Sequence, residues 1–334
     1  MDVNAINLIR VVSLFLMVNI HVAVRGMATL HDHWWIANVL DSVSRVCVPL
    51  FFMLSGALLI DKQEGLTVFF KKRAGKILAP LIAWSLVYLA FRFYIGGEEK
   101  VRVVDILSGP VYFHLWFMYA IIGLYFAMPL LRGYYASASR SLNVYVLCCW
   151  ALGFSIVPCL QSFGYLPSLG FSLDFLPKYA GFMLLGVLLK GIVETRVALV
   201  SAVCFVLLAG LTVWLTKWVS EPVGVLDERF YGYLAPNVVL MSIAAFIFLN
   251  WLGREIGASF TGLLNELSAC SFGAYLAHML IMQLLLLYGA EMIPAWDTPY
   301  IALTIPSLTI VVFALSLVAT FLLRRLSVTR VLFT

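Results

Sequence analysis

Arg10 and His21 stand inside the first long apolar stretch of this 334-residue chain, where ionisable side chains are unfavourable and mark functional candidates. They are eleven residues apart. At about 3.6 residues per turn that spacing returns to nearly the same helix face, about 16 Å further along the axis. A guanidinium suits a phosphate or pyrophosphate through its planar fork of donors. An imidazole suits proton removal from a hydroxyl near neutral pH. Taken singly, Arg10 reads equally as a snorkelling arginine and His21 as a hydrogen-bonded packing histidine. Their shared face favours a joint role.

Three further groups carry possible chemistry. Asp41 and Arg45 lie one turn apart in Asp41-Ser-Val-Ser-Arg45, a spacing that lets each neutralise the other in a bilayer. The chain continues to Ser55 and Gly56, small residues that permit close helix packing. In Tyr112-Phe-His114-Leu-Trp116-Phe117, an interfacial aromatic belt accounts for the Tyr and Trp and leaves His114 unexplained. Ser268, Ser271, Tyr275 and His278 follow at steps of three and four, which puts them on one helix face. A structural ion pair and an inter-helix hydrogen-bond set are the plainer readings of the first and last groups.

The elements that position these residues are membrane helices. Hydrophobic residues make up 63% of the chain and charged residues 12%, against roughly 25% charged in soluble domains. A helix needs about 20 apolar residues to cross about 30 Å of hydrocarbon. Ten such stretches occur, near 6–25, 34–60, 77–95, 111–131, 142–160, 175–193, 197–215, 234–252, 270–290 and 300–323. The predicted class is therefore all-α: a polytopic transmembrane helix bundle of about ten helices, forming one integral-membrane domain over 1–334. The stretch 34–60 exceeds a perpendicular crossing and predicts a tilted helix, or first turns outside the core. The short gap after the sixth span predicts a tight hairpin between the sixth and seventh. Continuous apolar runs such as Val203 to Leu215 exclude the period-2 alternation of a β-barrel. The N-terminus lacks a basic region and a small-residue cleavage site, so the first stretch is expected to remain as a helix.

Thirteen Lys and Arg fall in the even-numbered loops and C-terminal tail, among them Lys71, Lys72, Arg73, Lys76 and Arg330, against five in the odd-numbered loops. By the positive-inside rule both termini face the cytoplasm. The net charge of +5 is accounted for by that face and by anionic lipid headgroups, with no nucleic-acid partner. Cys47, Cys148, Cys149, Cys159, Cys204 and Cys270 lack paired metal-type spacing and read as packing residues. No metal site, Gly-rich phosphate loop, serine elbow or internal repeat stands out. His31 and His33 read as solvated loop residues. Glu98, Glu99, Glu221, Asp227 and Glu228 read as loop charges or the rim of a sugar site.

On these spans Arg10, Ser271, Tyr275 and His278 fall on the inner side, and His21, Asp41, Arg45 and His114 on the outer side. An inner phosphate-binding arginine and an outer histidine base suit acyl transfer from a nucleotide-bearing thioester. They equally suit a proton-coupled exporter or flippase of a saccharide or small molecule.

The motifs, in order, resemble those of the acyltransferase-3 family of bacterial inner-membrane acyltransferases. Arg10 and His21 match its helix 1 signature of Arg, ten residues, His. Ser44-Arg45-Val-Cys-Val-Pro49 through Ser55-Gly56 resembles its second block, His114-Leu-Trp116-Phe117 its helix 4 block, and Ser271-Phe-Gly-Ala-Tyr275-Leu-Ala-His278 its Ser…Tyr…His block. The run Ile36-Ala-Asn-Val-Leu40 is similar to the branch that O-acetylates enterobacterial common antigen. The resemblance implies an O-acetyltransferase of the inner membrane, with no bound cofactor. Acetyl-CoA would be the donor, and a cell-surface glycan or undecaprenyl-linked saccharide the acceptor. It implies that Arg10 helps hold the donor, that His21 is the base or acyl relay, and that Arg45 stabilises developing negative charge. His114, Trp116, Ser271, Tyr275 and His278 would line the substrate or donor path. Asp41 is assigned, from its chemistry alone, to orienting a catalytic partner.

Overall fold

The computed structural model describes residues 1–97, 102–172, 175–289, 293 and 296–325. Glu98, Glu99, Lys100 and Arg330 lie outside the described residues. Among those described, every regular element is helical, and nine helical segments are long and apolar enough to cross a membrane. The order is α1 (Val3–Ala23), α2 (Trp34–Ser44), α3 (Cys47–Leu59), α4 (Leu66–Tyr94), one-turn α5 (Asp105–Ser108), α6 (Trp116–Ser137), α7 (Arg140–Ala151), α8 (Val157–Ser162), α9 (Ala180–Leu189), α10 (Thr195–Ser220), α11 (Pro236–Arg254), α12 (Ala258–Tyr288) and α13 (Ile301–Leu323).

Helix α1 is central and packs against α2, α3, α11, α12 and α13. Its first turns bond to the start of α12, through Asn4 to Thr261 at 3.1 Å and Asn7 to Asn265 at 2.7 Å. The end of α13 reaches the same half of α12, where Arg324 lies 3.3 Å from the Cys270 sulfur. Both termini therefore mark one end of the bundle, here called the near end. Helix α10 is peripheral and presents Val200, Val203, Val206, Leu207 and Leu211 outward. Such a face suits lipid, which needs no polar cover.

Two spans are not the single helices that apolar length predicts. The stretch 34–60 breaks at Arg45 and Val46, between α2 and α3. Pro49 is the cause: it has no N–H to offer the Arg45 carbonyl four residues back, and its ring would crowd that carbonyl. Similarly, a π-helical turn at Leu152–Ile156 separates α7 from α8 just ahead of Pro158.

The sixth span departs furthest. Helix α9 has ten residues, about 15 Å of helix, which is half a hydrocarbon core. It packs against α3 and forms no tight hairpin with α10, which lies instead on α11 and α2. The α3–α9 contact needs two glycines. A Cβ on Gly56 would meet the Met183 carbonyl oxygen at 2.0 Å, and one on Gly186 would meet that of Met53 at 1.8 Å. This is the close packing that Ser55-Gly56 foreshadowed. Lys190 pairs with Asp61, tying the ends of the two helices together at the near end.

Candidate functional site

Three histidines from separate parts of the chain meet in the core. His21 comes from the last turn of α1, His114 from a 3₁₀ turn (Phe113–Leu115) ahead of α6, and His278 from α12. The His21 and His278 rings stack at 5.4 Å, and His114 meets His278 edge-on at 5.1 Å. His278 therefore belongs with the two outer histidines and not on the inner side. Helix α12 starts at Ala258, so His278 is two-thirds of the way along it. His278 Nδ1–H donates to the Tyr275 carbonyl at 2.5 Å, which leaves Nε2 as a buried, unpartnered acceptor. His114 and His278 are buried, whereas His21 is half-buried.

The cluster is held by tyrosines. Tyr275 donates its hydroxyl to the His114 carbonyl at 2.9 Å, pinning the 3₁₀ turn to α12. Tyr88 of α4 is fully buried and bridges one rung of α12, donating to the Leu276 carbonyl at 2.7 Å and accepting from the Leu280 N–H at 3.2 Å. Its ring also meets His114 edge-on at 4.9 Å. Tyr88 was invisible in the sequence because a tyrosine in an apolar run is ordinary.

Below the histidines, toward the near end, is a cavity of about 390 Å³. Arg10, Arg73 and Lys76 line it together with Ser55, Tyr125, Ser268, Ser271 and Tyr275. No acidic residue lines it. Arg10 makes no hydrogen bond or ion pair among the described residues. Arg73 is steadied by Glu64 at 3.2 Å. Glu64 also binds Lys72 at 2.6 Å and lies 3.7 Å from Arg132. The hydrogen bond from Lys72, with the charges of Arg73 and Arg132, holds the Glu64 carboxyl below the usual carboxylate range. The deep wall is apolar, built from Phe51, Leu54, Phe117 and Met118. Ser268 has a structural part as well, donating to Asn7 at 2.7 Å.

Asp41 and Arg45 sit at the α2–α3 break and are paired as their spacing suggests. The Arg45 guanidinium lies 4.0 Å over the Tyr231 ring. Asp41 is wholly buried; one oxygen serves Arg45 and the other, Oδ1, has no partner. No histidine is hydrogen-bonded to Asp41 among the described residues, so Arg45 is the partner it orients. Trp116 stacks on Tyr233 at 5.7 Å and touches Tyr179 at 5.7 Å. His31 is not simply solvated: its Nε2 lies 3.0 Å from the Gly26 carbonyl and its Nδ1 accepts from the His33 N–H at 3.2 Å. The six cysteines are all unpaired thiols.

The bundle thus holds a cavity lined by three cations and no acid, which reaches up to Tyr275. The chain belongs to the acyltransferase-3 family: the family model described as an acyltransferase domain matches residues 3–325. No curated protein and no solved structure matches the chain. Family membership supports membrane acyltransferase activity and fits the many apolar helices of a multi-pass protein.

Proposed function

We propose that the protein is an O-acetyltransferase of the bacterial inner membrane. It moves acetyl from acetyl-CoA to a hydroxyl of a cell-surface saccharide or its undecaprenyl-linked precursor. The observation that carries this reading is the cavity with three cations and no acid, rising from the near end to the tyrosine beneath the histidines. Arg10, Arg73 and Lys76 suit the phosphates of CoA, Arg10 through its fork of donors. The apolar wall at Phe51, Phe117 and Met118 suits the acyl-bearing arm. The Lys-rich loops at the near end support a cytoplasmic mouth, on the side where acetyl-CoA is made.

His21 is the base. As the half-buried member of the trio it is the one within reach of an acceptor hydroxyl. It takes the hydroxyl proton while the oxygen attacks the thioester carbonyl. The C–S bond then breaks, and the CoA thiolate leaves and takes up a proton. Developing negative charge on the carbonyl oxygen is offset by Arg45, whose charge bears on His21. His278 stacks on His21 and fixes its ring plane. The Ile36–Leu40 run supports enterobacterial common antigen as the acceptor.

Mass spectrometry of surface glycans tests this in cells lacking the gene, restored with it, and restored with His21→Ala. Acetyl ester should vanish in the deletion and the variant and return with the wild type. Unchanged acylation in all three, with the protein present, would refute it.

A further inference from the structure

A second cavity, of about 560 Å³, lies at the near end between the turn that follows α3 and the last turns of α6. Arg132 of α6 shapes it. Helix α3 ends at Leu59, and the last carbonyls of a helix have no partner within it. The Arg132 Nε–H donates to the Leu59 carbonyl at 2.9 Å and Nη1 donates to the Glu64 carbonyl at 3.3 Å, which holds the turn against α6. Asp61, Lys62, Gln63, Glu64 and Tyr135 line the space together with Arg132. Asp61, Lys62 and Gln63 are exposed, so the cavity is open at its rim.

Both carboxylates of this lining are already neutralised. Asp61 pairs with Lys190, and Glu64 pairs with Lys72 and Arg73. Two cations are left over. The Lys62 ammonium makes no hydrogen bond or ion pair among the described residues. Arg132 Nη2 is buried with no hydrogen-bond partner, and Glu64 comes no closer to it than 3.7 Å. Buried donors are nearly always satisfied, so this one calls for an acceptor. A positive cytoplasmic face accounts for an exposed Lys62. It does not account for a guanidinium only 13% exposed whose free nitrogen adjoins a cavity. Glu64 also connects the two cavities, because the Arg73 that it grips lines the other one. Arg73 and Arg132 lie over the same Phe69 ring, at 4.6 Å and 4.7 Å. The cavities are thus neighbours, separated by an ion pair.

We infer that the second cavity binds the 3′-phosphoadenosine end of the nucleotide thioester, with Arg132 and Lys62 on the 3′-phosphate and Tyr135 and Gln63 against the adenine. A guanidinium and an ammonium suit a phosphate, an aromatic ring suits the face of a base, and a carboxamide both donates and accepts, as the edge of adenine does. Size supports the division. At about 390 Å³ the first cavity is near the lower end of small-ligand pockets, which run from about 300 to 1,000 Å³, so it suits the acyl-bearing arm and its phosphates rather than the whole donor. The inference rests on the acyltransferase reading for the identity of the donor, and its test separates the two.

Isothermal titration calorimetry on the detergent-solubilised full chain provides that test. The probes are CoA, adenosine 3′,5′-bisphosphate and 4′-phosphopantetheine. All three should bind the wild type, CoA most tightly. Arg132→Ala should weaken CoA and the bisphosphate by about 10–100-fold, the worth of hydrogen bonds to a charged group, and leave phosphopantetheine unchanged. Arg132 also supports the α3–α4 turn, so a second variant fills the cavity instead. Gly133 lines it, and a Cβ there would meet nothing within 4 Å, so Gly133→Trp has room to fold. That variant should abolish bisphosphate binding and spare phosphopantetheine. Arg10→Ala, which lines only the first cavity, should do the reverse. Bisphosphate that fails to bind the wild type, or binds Gly133→Trp equally well, would overturn the inference; CoA bound under either outcome would leave the proposed reaction standing. Bisphosphate lost in Gly133→Trp, with neither CoA nor phosphopantetheine bound by the wild type, would instead keep the nucleotide site and sink the donor.

Discussion

The two arginines of the core are handled in opposite ways. Arg45 is neutralised by Asp41, stacked on Tyr231 and almost fully buried. Arg10 lines an open cavity with Arg73 and Lys76 and has no acidic partner there. A buried charge that is already paired is part of the scaffold or acts at short range, because its field is largely cancelled. An unpaired one next to other cations waits for an anion. The contrast separates a cavity lined by cations and no acid from a neutralised ion pair, with the histidines between them.

The largest effect should come from the boundary itself. His21→Ala should lower acyl transfer by about 10²–10⁴-fold, the usual worth of a general base, with protein amount unchanged. Turnover assays alongside quantitative immunoblots check both halves of that statement.

Removing one partner of the buried pair comes next. Asp41→Ala should destabilise the fold by about 3–5 kcal/mol by stranding Arg45, whereas the double change Asp41→Ala with Arg45→Met should recover much of that loss. Arg10→Met should leave stability nearly unchanged. Thermal unfolding in detergent would break the comparison if Arg10→Met were as damaging as Asp41→Ala.

Arg10→Ala should then raise the KM for acetyl-CoA by about 10–100-fold, the worth of about 1.5–3 kcal/mol for hydrogen bonds to a charged group, with a smaller change in kcat. Arg10→Lys should recover only part, since an ammonium lacks the fork. Steady-state kinetics with varied donor decides this.

The smallest effect concerns Glu64. Because its folded-state carboxyl titrates below the usual range, the stabilisation it gives is complete above the ordinary glutamate value and is lost only as pH falls through the depressed one. Stability should therefore not respond to Glu64 between pH 5 and about 8. Parallel profiles for wild type and Glu64→Gln over that window, separated by a constant offset, would bear this out, and a gap that changes with pH would contradict it.

Much of this was legible in the sequence. Spacing alone put Arg10 and His21 on one face and paired Asp41 with Arg45. Apolar length located the crossings, but length does not report backbone geometry. The proline effect at Pro49 and the ten-residue α9 are hidden inside uniformly apolar stretches. His278 was misplaced in depth because polar residues at the start of α12, such as Thr261, Asn265 and Glu266, disguise a helix that begins at Ala258 and extends beyond the apolar window. Asn7, Asn19 and Tyr88 escaped notice because uncharged side chains raise little alarm in an apolar run. Yet Asn19 alone ties α1 to Leu40, Ser44 and Thr309, at 2.8–3.1 Å. Tertiary pairing is what gives such residues meaning, and one chain read linearly does not show it.

The most direct test of the central claim is transfer of labelled acetyl from acetyl-CoA to an undecaprenyl-linked saccharide by the purified protein, with His21→Ala in parallel. The account predicts alkali-labile label on the saccharide and an equal release of CoA with the wild type, and neither with a folded variant. Label transferred equally well by His21→Ala, or no CoA released by the wild type, would contradict it.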